Sequence, residues 1–261
     1  MKNAEPMNKK SIIIAQLSDS HLFSEKEGLH HGHNVYKNLT RVLQAIYQSP
    51  EIDYIVFSGD LTQDHTKQSY QNFVDAVHEA KIETPFYYLA GNHDEPELLA
   101  QYLSQAPFIS STTINHGDWQ IQLLNSKGDT PAGYVHRQEF TKLKHAIKAD
   151  KHQLLMMHHH PIDLGYFIDK HGLVNKTEFW QNISNYDNIK AIACGHVHGA
   201  HELTKQLVDG KALVTLYTCP ATSIQFDPKV DGVAALAKGP AYRLYTLQKQ
   251  GTISSKIIML D

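Results

Sequence analysis

Cysteine is scarce: the 261-residue chain holds only Cys194 and Cys219, too few for a disulfide scaffold and in keeping with a reducing compartment. Long apolar runs are missing as well. The longest near the start, Ile12 to Ala15 behind Lys9 and Lys10, falls far short of a membrane span or a signal-peptide core, so a cytoplasmic protein with no membrane partner is expected. Nor is there an excess of either charge. The 24 Lys+Arg against 27 Asp+Glu leave a formal charge of -3, which suggests neither a nucleic-acid binder nor an acidic tail. Disorder and collagen-like architecture are excluded by 41% hydrophobic and 20% charged residues. With no repeat, linker or low-complexity tract, a single domain over 1–261 is expected, its residues 1–10 forming a flexible N-terminus. The oligomeric state stays open, a homodimer included.

Histidine is what the chain has in excess, with eighteen residues. Imidazole is the commonest metal ligand and titrates near neutrality, so the question is whether a fold would gather these residues. Apolar segments rich in β-branched or aromatic residues alternate with helical patterns, the mark of an α/β protein with a substantial parallel sheet. Strands are predicted at Ile12 to Leu17, Tyr54 to Phe57, Phe86 to Ala90, Ile121 to Leu124, Leu154 to Met157 and Ile189 to Cys194. Leu39, Val42, Leu43, Ile46 and Tyr47 fall on one helical face. Further helices are predicted over Gln68 to Ala80, Glu95 to Leu103, Gln138 to Ala149 and Lys176 to Ile183. After residue 200 come short antiparallel strands, His201 to Leu207, Ala212 to Tyr217, Ala221 to Phe226, Tyr242 to Leu247 and Ile253 to Met259, with turns at Asp209-Gly210 and Gln250-Gly251. Ser24 to Asn34 and Pro228 to Pro240 read as loops.

Five of the strands end in clusters of metal-competent side chains: Ser18-Asp19-Ser20-His21, Ser58-Gly59-Asp60, Gly91-Asn92-His93-Asp94, His158-His159-His160-Pro161 and Gly195-His196-Val197-His198. In an open α/β sheet the carboxyl ends of the strands share one edge, where ligands bind, so the clusters converge. Carboxylate, imidazole and carboxamide donors without cysteine suit Mn, Fe or Zn. There are too many donors for one ion, and two ions about 3.5 to 4 Å apart sharing a bridging carboxylate accommodate them. Two ions at +4, two aspartates at -2 and a hydroxide at -1 leave about +1, which complements a singly charged phosphodiester.

The series Asp19-Ser20-His21, Gly59-Asp60, Gly91-Asn92-His93-Asp94, His159-His160-Pro161 and Gly195-His196-Val197-His198 resembles the calcineurin-like metallophosphoesterase superfamily in order and spacing over residues 12 to about 200. His21-Leu22-Phe23, Gly59 to Asp64, His158 to Pro161, Phe167 to Asn175 and Ile224-Gln225-Phe226 further resemble the class III bacterial 3′,5′-cyclic AMP phosphodiesterases. Two positions depart from that narrower pattern: Ser223, where the family commonly has Cys, and Val174, where it has a basic or polar residue.

The resemblance implies a four-layer αββα sandwich of two mixed β-sheets flanked by helices. It implies a phosphodiesterase that hydrolyses cyclic AMP to 5′-AMP through a hydroxide bridging two metal ions, Fe and Mn foremost and Zn as an alternative. One ion would be held by Asp19, His21, Asp60 and His198, the other by Asp60, Asn92, His159 and His196; His159 is chosen because the family ligand stands two before the proline. His93 would be the leaving-group acid, oriented by Asp64 or Asp94. The cyclic nucleotide would contact His21, Asn92, His93, His171, Asn175 and His198, with Phe23, Tyr166 or Phe167 as an apolar wall for the base. Another small phosphodiester or phosphomonoester is the alternative substrate. His30, His31, His33 and His65 match no motif and are expected to be solvated, whereas Cys194 is expected to be a packed thiol.

Overall fold

The computed structural model describes residues 11–207, 210 and 213–261. The predicted N-terminus 1–10, Asp209 of the predicted turn and Ala212 of a predicted strand lie outside them. The elements run β1 (Ser11–Leu17), β2 (Leu29–His30), β3 (His33–Asn34), α1 (Val35–Tyr47), β4 (Tyr54–Phe57), α2 (Lys67–Glu79), β5 (Phe86–Tyr88), α3 (Pro96–Tyr102), β6 (Phe108–Ile109), β7 (Thr113–His116) and β8 (Trp119–Leu123). They continue with α4 (Arg137–Ala146), β9 (His152–Met157), a 3-10 helix (Phe167–His171), α5 (Lys176–Ile183), β10 (Ile189–Cys194), β11 (Glu202–Gln206), β12 (Leu213–Thr218), β13 (Ala241–Gln248) and β14 (Ile253–Met259).

Two six-stranded sheets form, ordered β14-β13-β1-β4-β5-β6 and β11-β12-β10-β9-β8-β7. In the first, β1, β4, β5 and β6 are parallel, and β13 joins β1 antiparallel. In the second, β8, β9, β10 and β12 are parallel, with β7 and β11 antiparallel at the edges. Both sheets are therefore mixed.

Side-chain alternation along the strands builds the layers. On β1, Ile12 and Ile14 enter the core between the sheets, together with Leu154 and Met156 of β9 and Ala191 and Ala193 of β10. The intervening Ala15 and Leu17 face α1 and α2, while Leu155 and Met157 face the α4 and α5 side. Helices thus cover both outer faces, giving the αββα order. α1 starts at Asn34, whose side chain accepts the Lys37 N–H at 2.8 Å. It buries Val35, Leu39, Val42, Leu43 and Ile46, each contributing about 1.5–3 kcal/mol for the larger side chains. No helix among the described residues is long and apolar enough to cross a membrane.

Three expectations differ from the structure. Ser24 to Asn34, expected as loop, carries the β2–β3 hairpin. β12 runs parallel to β10 while pairing antiparallel with β11, because the alternation that reveals a strand does not reveal its direction. Residues 221–226 form no strand. Their backbone instead binds the loops at the ends of β1 and β10, with the Thr222 N–H on the Ser18 carbonyl at 2.9 Å and the Phe226 N–H on the His198 carbonyl at 3.0 Å.

Candidate metal centre and substrate cleft

Because β1, β4 and β5 are parallel in one sheet and β9 and β10 in the other, their carboxyl ends meet along one rim. The loops beyond β1 and β4 are zipped together there: Asp19 N–H donates to Gly59 O at 2.9 Å, His21 N–H to Asp60 O at 3.1 Å and Leu22 N–H to Leu61 O at 2.8 Å. The turns are sharp. Asp19, His21, Asp60, His196 and His198 all have left-handed backbone, with φ of 57, 45, 58, 67 and 49°, each costing roughly 1–3 kcal/mol in a non-glycine residue. Such strain at five neighbouring positions requires a surrounding fold that over-determines it. Gly91 is one enabling residue, since a Cβ there would stand 2.1 Å from Asp60 Oδ1.

Asp19, His21, Asp60, Asn92, His196 and His198 are brought together. Asp60 Oδ2 lies 3.7 Å from His21 Nε2 and 3.3 Å from His158 Nε2. Around the first pole, His198 Nε2 is 3.4 Å from Asp19 Oδ1 and 3.0 Å from His21 Nε2. Around the second, His158 Nε2 is 3.2 Å from both Asn92 Oδ1 and His196 Nδ1. These donors fit cations better than they fit one another. Asp19 Oδ1 and His196 Nε2 are buried without a hydrogen-bond partner among the described residues, and two imidazole nitrogens at 3.0 Å can share only a proton or a metal.

His158, not the expected His159, stands against Asp60 and Asn92. His159 is adjacent, with a ring nitrogen within 4.8 Å of those of His158 and His196, but its Nδ1 meets Ser126 Oγ at 2.9 Å and its Nε2 meets the Pro131 carbonyl at 3.2 Å. Strand alternation explains the difference: His158 continues the face of Leu154 and Met156 toward the other sheet, and His159 continues the face of Leu155 and Met157 away from it. His160 turns to Asp169, with Nε2 at 3.1 Å from Oδ1.

The electrostatics at Asp60, His21 and His196 suit cation binding. Burial opposes the charge of Asp60, but the facing His158, His21 and His93 outweigh it and hold the carboxyl well below its usual range. Burial pushes His21 and His196 well below the ordinary imidazole range, into the neutral form that ligates metals. His158 moves the other way, to about 9, because Asp60 and Asp19 overcome its burial.

His93 is half-buried at the rim, its ring 4.9 Å edge-on from His21 and stacked on His65 at 5.6 Å. Among the described residues, neither side chain expected to orient it makes a hydrogen bond to its Nδ1. Asp94 accepts the backbone N–H groups of Asp60, Leu61 and Gly91, each at 2.8 Å, and Asp64 accepts from Ser24 at 2.6 Å and from the Thr66 hydroxyl at 2.8 Å. A cleft of about 530 Å³ opens over the rim, with His93, His171 and Phe167 in its wall. Asn175 is not in that wall: its side chain clamps the Val135 backbone, accepting at 3.1 Å and donating at 2.9 Å. Of the other expected wall residues, Phe23 packs into the first core, and Tyr166 bonds the Val197 carbonyl at 3.0 Å.

Residue-type reasoning missed three neighbours. Phe226 stacks on His198 at 3.9 Å and 2°, Lys127 Nζ donates to the Asn92 carbonyl at 2.9 Å, and His30 packs beside His21 at 5.0 Å. His30, expected in solvent, is instead sheltered enough that burial lowers it to about 3. Only Phe226 had a signal, as part of the Ile224-Gln225-Phe226 segment.

An αββα sandwich that gathers Asp, Asn and His at one strand-end rim is the framework of a metallophosphoesterase, a class of hydrolases. The chain belongs to the calcineurin-like phosphoesterase family, whose sequence profile matches residues 12–200. It is 62% identical, over 97% of either chain, to a probable cyclic nucleotide phosphodiesterase of Colwellia psychrerythraea. It is 31% identical, over 98% of this chain and 92% of the other, to the 3′,5′-cyclic adenosine monophosphate phosphodiesterase CpdA of Vibrio vulnificus. Among solved structures, a dimetal phosphatase from Danio rerio superposes with a TM-score of 0.65 at 10% identity, covering 97% of this chain and 100% of that one, a likeness of fold.

Proposed function

We propose that this protein hydrolyses 3′,5′-cyclic AMP to 5′-AMP in the cytoplasm, as one domain. Asp19, His21, Asp60 and His198 would hold one metal ion, and Asp60, Asn92, His158 and His196 a second. The observation that carries this is the position of Asp60 Oδ2, within 3.7 Å of a ring nitrogen from each donor group, His21 on one side and His158 on the other. The oxygen and imidazole donors, without thiolate, suit an Fe and Mn pair, with Zn as the alternative. When bound, two such ions lower the pKa of water and offset the charge that develops on the phosphoryl oxygens.

The chain's own groups do the rest. His93 stands at the rim, where it can protonate the ribose 3′-oxygen as the bond from phosphorus to that oxygen breaks and water supplies the new one. Its ring packs against that of His21 at 4.9 Å and stacks on that of His65 at 5.6 Å. Phe167 and His171 line the outer wall, where a nucleobase would lie, and a cleft of about 530 Å³ suits a small substrate. The names of the relatives at 62% and 31% identity support the cyclic nucleotide as that substrate.

Incubation of the purified, Mn-loaded protein with cyclic AMP tests this. Formation of 5′-AMP is expected. Cleavage of an aryl phosphodiester with no turnover of cyclic AMP would move the substrate elsewhere in the family.

A further inference from the structure

The segment between β1 and α1 carries an element that the metal chemistry does not use. His30 and His33 pair across a two-residue turn, His31-Gly32, with φ of 45° at His31 and 83° at Gly32. Positive φ at both central residues makes this the primed hairpin type, which favours Asn or Gly at its first position. His31 occupies that first position in this chain, a left-handed conformation that non-glycine residues adopt uncommonly. The hairpin is anchored at its base, since Asn34 Nδ2 donates to the Lys26 carbonyl at 3.1 Å while Asn34 Oδ1 caps α1. It also packs tightly, because a Cβ on Gly28 would stand 2.6 Å from the Phe23 ring.

The anchoring aims two imidazoles into the cleft. His30 and His31 both line it, and their rings lie 4.9 Å apart. His30 flanks His21 at 5.0 Å, and His93 flanks the same ring at 4.9 Å. The leaving 3′-oxygen and the 2′-hydroxyl of a ribose are vicinal. His30 stands beside the same His21 ring as His93 and lines the same cleft in which that hydroxyl would lie.

We infer that His30 is a specificity-determining residue that hydrogen-bonds the ribose 2′-hydroxyl of the substrate, and that the strained His31-Gly32 turn holds it there. This rests on the cyclic-nucleotide reading above. The test compares KM for cyclic AMP and 2′-deoxy cyclic AMP in the wild type, His30→Ala and His30→Gln, with metal content measured in each. The wild type is expected to prefer the ribose form roughly tenfold, the value of one neutral hydrogen bond. His30→Ala abolishes that preference with metal content unaltered, and His30→Gln, which keeps donor and acceptor, restores part of it. A wild type that ignores the 2′-hydroxyl, or a His30→Ala protein that still prefers it, overturns the assignment while leaving the cyclic-nucleotide reading intact. Loss of metal from His30→Ala also overturns it, because His30 would then be acting through His21. A wild type that cleaves no cyclic AMP overturns both.

Discussion

The carboxylate of Asp94 accepts the backbone N–H of Asp60 at 2.8 Å, so a side chain two residues beyond Asn92 sets the turn that aims the central carboxylate. The same group also holds the N–H groups of Leu61 and Gly91. Asp94→Ala leaves these buried donors unpaired at a cost of roughly 1–3 kcal/mol each. It is expected to lower both thermal stability and the tightly bound metal per chain, read by calorimetry and elemental analysis. Full metal retention would show that the turn holds without it.

His158 and His159 are expected to separate by mutation. His158→Ala is expected to lose tight metal at one position and at least about 10²-fold in turnover, as for a ligand whose removal disables the ion it holds. His159→Ala removes contacts to Ser126 and Pro131 and is expected to keep both ions. Metal analysis of the two variants side by side decides which imidazole is the ligand.

His93→Ala is expected to keep its metal and lose about 10²–10⁴-fold in cyclic AMP turnover, the usual range for a general acid. An aryl diester, whose phenolate leaves without a proton, should lose much less. Equal losses on both substrates would assign His93 to phosphate binding instead.

Phe226 holds His198 by a parallel stack at 3.9 Å, while the Ile224 carbonyl bonds the ring's Nδ1 at 2.8 Å. Phe226→Ala removes an aromatic contact of about 0.5–1.5 kcal/mol. Metal affinity is expected to fall by about tenfold, at the low end for a group that orients a ligand. Competition with a chelator measures it.

Asp169 gathers the segment 164–169, accepting from Leu164 at 2.8 Å, Gly165 at 2.7 Å and Tyr166 at 3.2 Å. Burial alone would raise its pKa, but the bond to His160 and those amides outweigh burial and bring it to about 2. A carboxyl depressed in the folded state stabilises above its unfolded value near about 4 and loses that contribution as pH falls through about 2. Asp169→Asn is therefore expected to be less stable than the wild type by about 1 kcal/mol at pH 6, allowing for solvent screening, and the gap should close toward pH 2. Denaturant unfolding across that range is the measurement.

The strands and the rim they end on are legible because the segments that begin at Ile12, Leu154 and Ile189 are apolar on both faces and end in donor clusters, whereas their division between two sheets entered only through the family resemblance. Period-two alternation then sets which donors continue the face toward the other sheet. Finer choices are less legible. Counting back from Pro161 favours His159, yet the face of β9 that points at the other sheet puts His158 against Asp60 and Asn92. Residues 221–226 look like a strand by composition, whereas their hydrogen bonds go to the Ser18 and His198 carbonyls, partners that only the folded rim supplies. The shelter around His30 and the grip of Asp94 on Asp60 are long-range contacts of the same kind, and no local pattern encodes them.

The amount of metal that stays with the protein after exhaustive desalting tests the central claim most directly, measured beside an Asp60→Ala variant. Two ions per chain are expected in the wild type, with both weakened when the shared carboxylate is removed. One ion in the wild type, or loss of a single ion in the variant, would contradict a pair bridged by Asp60.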